Sequence, residues 1–326
     1  INMGLDRVKK VAHQMGLLPL SYKRVVIGGT NGKGSTTMAL SQLYTQAGFQ
    51  VGRLTSPDVL CYNERIVINE EVVSDAVLCE GFDAVLSAQK EVDLTFFEIN
   101  VLLALWVFAS QELDIAFFEV GLGGRLDAVN IIDSDLAIVT NVALDHTDRL
   151  GETRECIAKE KVAIARTAKP FIYGEQDMTK SMETYLSSHQ VPYLLQGQDF
   201  FIEELKDSYC WKGLKGTMQL SKPLSVHPEV VARVLMVCQL FSEDFPIESG
   251  VMQHALSAIK IPYRFENVPC ALPGKWIVDV GHNPAAAVYV RDQIQAKRSK
   301  GQKIHLVFSA MEDKNIAEMV EVFRPL

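Results

Sequence analysis

Short apolar runs alternating with amphipathic stretches organise this chain of 326 residues. Val25, Val26 and Ile27 form a run without polar alternation, the pattern of a strand buried on both faces of a parallel sheet. Leu40, Leu43, Tyr44 and Ala47 then share one helical face, with Gly48 placed to end the helix. Ahead of that strand, Val8, Val11, Ala12 and Met15 predict a helix over Gly4–Leu17. Beyond it the pattern predicts a strand over Gln50–Leu54, a β-hairpin within Cys61–Glu71, and a helix over Ser74–Lys90 capped by Ser74. A very apolar helix over Thr95–Gln111 follows, then strands over Asp114–Val120 and Leu136–Val142 and a helix over Thr153–Thr167. Phe171–Tyr173, a helix from Met178 and Val191–Leu195 add another βαβ unit.

From Phe200 to Leu220 the pattern changes to alternation, with turn signals at Gly213 and Gly216, and reads as a small antiparallel ribbon. Helices over Glu229–Phe241 and Gly250–Ile259 come next. Pro262 keeps Lys260–Arg264 extended, as in a linker between domains. The βα rhythm then restarts: a strand over Trp276–Val280 carries Asp279, Gly281-His282-Asn283-Pro284 opens a helix, and Lys303–Phe308 forms a strand before Met311-Glu312-Asp313-Lys314. The predicted class is α/β: a phosphate-loop parallel sheet over 1–260, then a smaller Rossmann-like α/β unit over 261–326. That second unit is short for a doubly wound domain. The chain also opens at Ile1 and stops at Leu326 just after a helical pattern, so we expect residues to be missing at both ends.

The stretch Arg24–Thr37, R-V-V-I-G-G-T-N-G-K-G-S-T-T, joins the first buried strand to its helix. Strand, glycine loop with a lysine, then helix is the arrangement that grips a polyphosphate. Backbone N–H groups and the helix N-terminus face the anion, Lys33 adds a charge, and Ser35 or Thr36 reaches a phosphate or its magnesium. The spacing departs from the usual Gly-x4-Gly-Lys-Ser/Thr, because Gly34 separates Lys33 from Ser35 and Ile27 takes the first glycine's place. The bland alternative is a tight βα turn with an incidental lysine, which the flanking strand and helix disfavour. Ser56 ends a strand before Pro57, Glu119 ends another ahead of Gly121-Leu122-Gly123-Gly124-Arg125-Leu126-Asp127, and His146 follows a third. A carboxylate and an imidazole at ends of the sheet that presents the phosphate loop suit a divalent ion bridging phosphates. Lys159, Glu160 and Lys161 read, by themselves, as a solvated helix face.

Composition narrows the classes further. With 48% hydrophobic and 22% charged residues the chain is an ordinary globular one, and its net charge of −8 without a basic stripe argues against a nucleic-acid partner. The six cysteines are scattered without a C-x-x-C pair, which favours reduced thiols in the cytosol over a disulfide frame or a zinc site. Val101–Ala109 is too short to span a bilayer, and Ile1 does not begin a signal peptide.

Taken together the motifs resemble the folylpolyglutamate synthase and dihydrofolate synthase branch of the Mur ligase superfamily, in its bacterial bifunctional form. The matching pieces are G-T-N-G-K-G-S-T at Gly29–Thr36, T-S-P at Thr55–Pro57, N-E-R-I at Asn63–Ile66 and F-F-E at Phe96–Glu98. E-V-G-L-G-G-R-L-D-A at Glu119–Ala128, L-D-H-T-D at Leu144–Asp148, E-K at Glu160–Lys161, Arg264, D-V-G-H-N-P at Asp279–Pro284 and D-K at Asp313–Lys314 complete them in family order. The resemblance implies a monomeric, ATP-dependent amide ligase that adds L-glutamate to dihydropteroate, to the tail of a reduced folate, or to both, through an acyl phosphate. It also implies ATP phosphates on Asn31, Gly32, Lys33, Gly34 and Ser35, with magnesium on Ser56, Glu119 and His146. Lys161 matches a lysine that is carbamylated in this superfamily and supports a second metal. Arg264 and Asp279 would reach the nucleotide from the linker and second unit, and His282 would stand near the incoming glutamate. Thr95, Phe97, Glu98 and Asp127 would line the pterin side.

Some positions depart from the family pattern. Asp58 stands where a histidine is usual, Cys61 where an arginine is frequent, Val129 where a threonine is common and Gly281 where an alanine is. The adenine-side asparagine usual around His227–Val231 is missing, with Glu229 close to its place, and Tyr263 takes a glycine's place before Arg264. A kinase that stops at phosphoryl transfer, a nucleotide switch, a monofunctional synthase and a cell-wall Mur ligase are the competing readings. No guanine-reading Asn/Thr-Lys-x-Asp motif supports a switch. The G-K-G-S loop and the G-L-G-G-R-L-D-A stretch argue against the cell-wall enzyme.

Overall fold

The computed structural model describes residues 4–271, 274–299, 301–311 and 314–326. In chain order the elements are α1 (Asp6–Gln14), β1 (Lys23–Gly28), α2 (Lys33–Gln46), β2 (Val51–Leu54), β3 (Ile66–Ile68), β4 (Glu71–Val72), α3 (Asp75–Gln89) and α4 (Phe96–Ala109). Then follow β5 (Ile115–Glu119), β6 (Leu136–Val139), the single turn α5 (Thr147–Leu150), α6 (Arg154–Val162), β7 (Phe171–Tyr173), α7 (Lys180–Ser188) and β8 (Tyr193–Leu195). The ribbon strands are β9 (Phe201–Glu204), β10 (Ser208–Gly213) and β11 (Gly216–Ser221), and the helices after them α8 (Pro228–Leu240) and α9 (Ser249–Ala258). β12 (Glu266–Val268), β13 (Trp276–Val278), α10 (Pro284–Lys297) and α11 (Ile316–Phe323) complete the chain.

Eight strands form one sheet in the order β4-β3-β2-β5-β1-β6-β7-β8. β1 lies between β5 and β6, all three parallel, with Val25 beside Phe117 on one flank and Leu136 on the other. Only the β2–β3 and β3–β4 pairings, at one edge, are antiparallel. Successive side chains of a strand point to opposite faces, so β1 feeds two cores at once. Val26 joins the layer that contains Val8, Leu102, Ile157 and Met182, while Val25 and Ile27 join the layer of Leu40, Tyr44, Val231 and Leu235. The sheet is therefore covered on both faces, which explains the unbroken apolar runs of its strands. The ribbon β9–β11 is antiparallel and packs Trp211 and Leu220 into the second of these cores. Among the described residues no helix is long and apolar enough to cross a membrane.

The hairpin expected within Cys61–Glu71 is β3 and β4, preceded by a 3-10 turn over Tyr62–Arg65 in which the Glu64 carboxylate accepts from the amides of Val59, Leu60 and Cys61. Two expectations are corrected. α6 stops at Val162 instead of continuing to Thr167, where Arg166 Nη1 donates to the free carbonyls of Ala163, Ile164 and Ala165. Lys303–Phe308 forms no strand: Val307 is 93% exposed, and no described strand pairs with this segment. The nearby sheet has two strands, β12 and β13, paired antiparallel, and an apolar run becomes a strand only where another offers a ladder. Asp313, part of the D-K motif, lies outside the described residues.

Candidate active site

The phosphate loop leaves β1 at the centre of the sheet, held against the end of β6. A Cβ on Gly29 would stand 1.8 Å from Thr140 Oγ1, and Gly29 has φ +139°, so only glycine fits. The amides of Thr30 and Asn31 donate to Asn141 Oδ1 at 3.1 and 2.8 Å, and Thr140 Oγ1 donates to the Asn31 carbonyl at 2.6 Å. Gly32 precedes the first turn of α2 in the left-handed region. Lys33 Nζ donates to the carbonyls of Gly29 and Thr30 at 3.1 and 3.2 Å. Sequence reasoning missed Thr140 and Asn141; a polar pair directly after a buried strand was the available signal.

Glu119, at the carboxyl end of β5 and 4% exposed, accepts from the Ser56 amide at 3.1 Å. Gly34 leaves the first turn of α2 open toward it: Oε2 is 3.4 Å from where a Cβ would sit. Burial pushes the Glu119 carboxyl up, against the nearby charge of Lys33, the Ser56 amide and the charges of Arg264 and Arg53. A desolvated carboxylate between a strand end and a phosphate loop is a hard oxygen donor suited to a divalent cation. Thr36 Oγ1, in the same first turn, is buried without a hydrogen-bond partner. The donor set therefore fits a magnesium-type ion that takes its remaining ligands from phosphate oxygens. Among the described residues no three His, Cys, Asp or Glu side chains form a cage of their own.

His146 stands just ahead of the single turn α5. Its backbone is left-handed and its Nε2 lies 3.2 Å from Lys314 Nζ, which also donates to Asp145 Oδ1 at 3.0 Å. His282 Nε2 is 3.8 Å from Asp145 Oδ2, and Asn283 Nδ2 donates to Asp145 Oδ2 at 3.2 Å and to Asn31 Oδ1 at 2.8 Å. Burial alone would raise the Asp145 carboxyl, but the Lys314 hydrogen bond and the neighbouring His146, Lys314 and His282 hold it below the usual carboxylate range. Asp145 thus receives three side chains from beyond the linker. Asp279 secures that linker, accepting from the Phe265 and Gly281 amides at 2.8 and 2.7 Å, and Arg264 comes within electrostatic range of both Glu119 and Asp279.

Lys161 is not a solvated charge. It is 4% exposed on α6, and its Nζ donates to the Gly29 carbonyl at 3.0 Å. Burial and the charge of Lys33 bring its ammonium down to about 7, against the attraction of Asp145 and Asp127. The glycine-rich turn packs onto this helix: a Cβ on Gly124 would stand 2.5 Å from the Glu160 carbonyl.

Thr95, Phe97, Glu98 and Asp127 line one cavity of about 330 Å³ together with Ser56 and Arg65. Phe97 packs against Gly121, where a Cβ would come within 2.7 Å of the ring. Asp127 accepts from the Leu122 and Val129 amides, and burial pushes its carboxyl up to about 6 against those donors and Lys33. Both oxygens of Glu98 are engaged, one in the capping box with Thr95 and both with Arg7 Nη2 at 3.0 and 3.2 Å.

A glycine loop at the centre of a doubly covered parallel sheet, facing a buried carboxylate and overlain by a small second lobe, defines a two-lobed nucleotide-binding α/β protein. Residues 27–206 match the Mur ligase middle domain and 263–326 the Mur ligase glutamate ligase domain. The dihydrofolate synthase/folylpolyglutamate synthase of Escherichia coli (strain K12) is 33% identical over 317 residues, spanning 97% of this chain and 74% of its own length. That of Buchnera aphidicola subsp. Schizaphis graminum is 35% identical over 98% of this chain and 76% of its own. The structure of E. coli FolC in complex with DHPP and ADP superposes with a TM-score of 0.93 at 33% identity, covering 100% of this chain and 77% of that one. A bifunctional folylpolyglutamate synthase/dihydrofolate synthase with Mn, AMPPNP and L-glutamate bound gives 0.91 at 34%, covering 100% and 78%. The chain belongs to the dihydrofolate synthase/folylpolyglutamate synthase family of Mur ligases.

Proposed function

We propose that this protein is an ATP-dependent carbon–nitrogen ligase that joins L-glutamate to dihydropteroate and to the γ-carboxylate of reduced folates. The observation that carries the reading is the gathering of Lys33, Glu119, Asp127 and Lys161 around one loop, beside a cavity that reaches Ser56. The acceptor's carboxylate oxygen attacks the γ-phosphorus and ADP departs; the glutamate amine then attacks the acyl carbon and phosphate leaves. Two anions must meet for the first step. Asn31, Gly32, Lys33, Gly34 and Ser35 receive the phosphates through backbone N–H groups and the Lys33 charge. Ser56 and Glu119, with His146 on the second lobe's side, would hold the dication, which would neutralise phosphate charge.

Phe97 and Asp127 receive the flat heterocycle in the cavity, with Thr95 and Glu98 as its frame. Arg264 and Asp279 contact the nucleotide from the linker, and His282 orients the incoming amine. Lys161 is carbamylated in the working enzyme: the depressed ammonium supplies a neutral amine, whose nitrogen bonds to the carbon of carbon dioxide and gives up a proton to water, and the resulting anion would support a second metal. The working units are 1–260 and 261–326, closing on each other through Asp145. The protein acts as a cytosolic monomer without a nucleic-acid partner.

The test is an assay with ATP, magnesium and labelled glutamate, offering dihydropteroate and tetrahydrofolate separately. Incorporation with both acceptors is expected, and ADP release should depend on glutamate. ADP release with acceptor alone would indicate a kinase. No incorporation with either acceptor would refute the proposal.

A further inference from the structure

A second buried cation stands beside the phosphate loop, unused by the function proposed above. Arg233, in α8, is 4% exposed among Val230, Val231, Val234 and Leu235. Its Nη1 donates to Gln196 Oε1 at 3.0 Å, while its Nε is buried with no hydrogen-bond partner. Glu229 and Glu175 attract it from farther away, and burial lowers the guanidinium only to about 10, so it stays cationic at neutral pH. An incompletely satisfied buried cation is costly to keep for packing alone. Two glycines make room for it. A Cβ on Gly174, just past β7, would come within 2.8 Å of Nη1, and a Cβ on Gly32 would stand 3.9 Å from Nη2. Gly32 is the residue that opens the 14-residue helix α2, where backbone N–H groups face an anion.

We propose that Arg233 is a nucleotide-binding residue whose guanidinium contacts a phosphate oxygen of the bound nucleotide on the Gly32 side of the loop. The inference rests on the nucleotide-dependent reading above and adds a second cation to Lys33. An arginine fork suits this position because it donates in two directions at once, to Gln196 and to the ligand.

The test compares wild type with Arg233→Met, measuring magnesium-ADP by titration calorimetry and adenosine by displacement of a fluorescent ADP analogue. Loss of a charge-assisted hydrogen bond predicts about 10- to 100-fold weaker ADP binding, with adenosine affinity unchanged. The unfolding temperature of the ligand-free variant should be equal or higher, since an apolar side chain removes a buried charge. Unchanged ADP affinity overturns the inference and leaves the ligase reading standing. An equal loss for adenosine also overturns it, by moving the contact to ribose or base. A wild-type protein that binds no ADP overturns both. If Arg233→Met does not fold, Arg233→Gln, which keeps a donor to Gln196, carries the same expectations and the same refutations.

Discussion

Lys161→Met offers a quantitative test, because one buried group links stability, pH and the proposed chemistry. The ammonium titrates near 7 in the folded protein and at 10.5 when unperturbed. The unfolded chain therefore binds more protons than the folded one between those values, and stability rises with pH across that window. Above 10.5 the lysine imposes no charge penalty. The penalty grows as the pH falls through the window and is complete below about 7, where it is on the order of 5 kcal/mol at about 1.4 kcal/mol per pH unit. Methionine has similar bulk and no charge, so the variant should lack this slope. Urea unfolding in carbon-dioxide-free buffer should show the difference between variant and wild type shrinking by roughly 2 to 3 kcal/mol between about pH 7.5 and pH 9.5. Bicarbonate should raise the wild-type unfolding temperature and leave the variant's unchanged, because a ligand that binds only the folded amine stabilises it. Ligase activity should be lost, with partial rescue by short carboxylates. Parallel pH dependences in the two proteins would refute the account of Lys161 as a buried, depressed amine. Near-normal turnover in the variant would remove the carbamate.

Three further outcomes are expected. Gly29→Ala places a Cβ 1.8 Å from Thr140 Oγ1 at a residue with φ +139°. It should cost roughly 3 kcal/mol or more and abolish ADP binding, so a wild-type unfolding temperature with normal binding would contradict the loop geometry. Glu119→Gln should weaken nucleotide-dependent manganese binding, followed by electron paramagnetic resonance, by at least about tenfold; equal affinity would move the metal elsewhere. Asp145→Asn removes the charge from one partner of a pair whose side chains are 9% and 8% exposed, the Asp145–Lys314 contact between the first lobe and the second. It should loosen the second lobe, seen as faster proteolysis within residues 260–264 and faster amide exchange in α10. An unchanged cleavage rate would show that the lobes are held otherwise.

Much of this protein was legible in one dimension. The apolar runs at Val25–Ile27, Ile115–Phe118 and Leu136–Val139 mark buried parallel strands, because a doubly covered sheet tolerates no polar alternation. Gly29 and Gly32 mark the loop ahead of α2, because its backbone conformation restricts which residues can stand there. Glu119 was placed from its position at a strand's carboxyl end, where the ends of parallel strands collect ligands. Packing decided the rest. Lys161 reads as a surface charge until α6 lies against the glycine loop and buries it. His146 turns toward Lys314, 168 residues away, and Arg233 reaches Gly32 from a helix that local pattern shows only as apolar. Local sequence sets backbone preference and the alternation of faces. Burial and charge at a site depend on contacts between segments far apart in the chain, and those exist only once the lobes have come together.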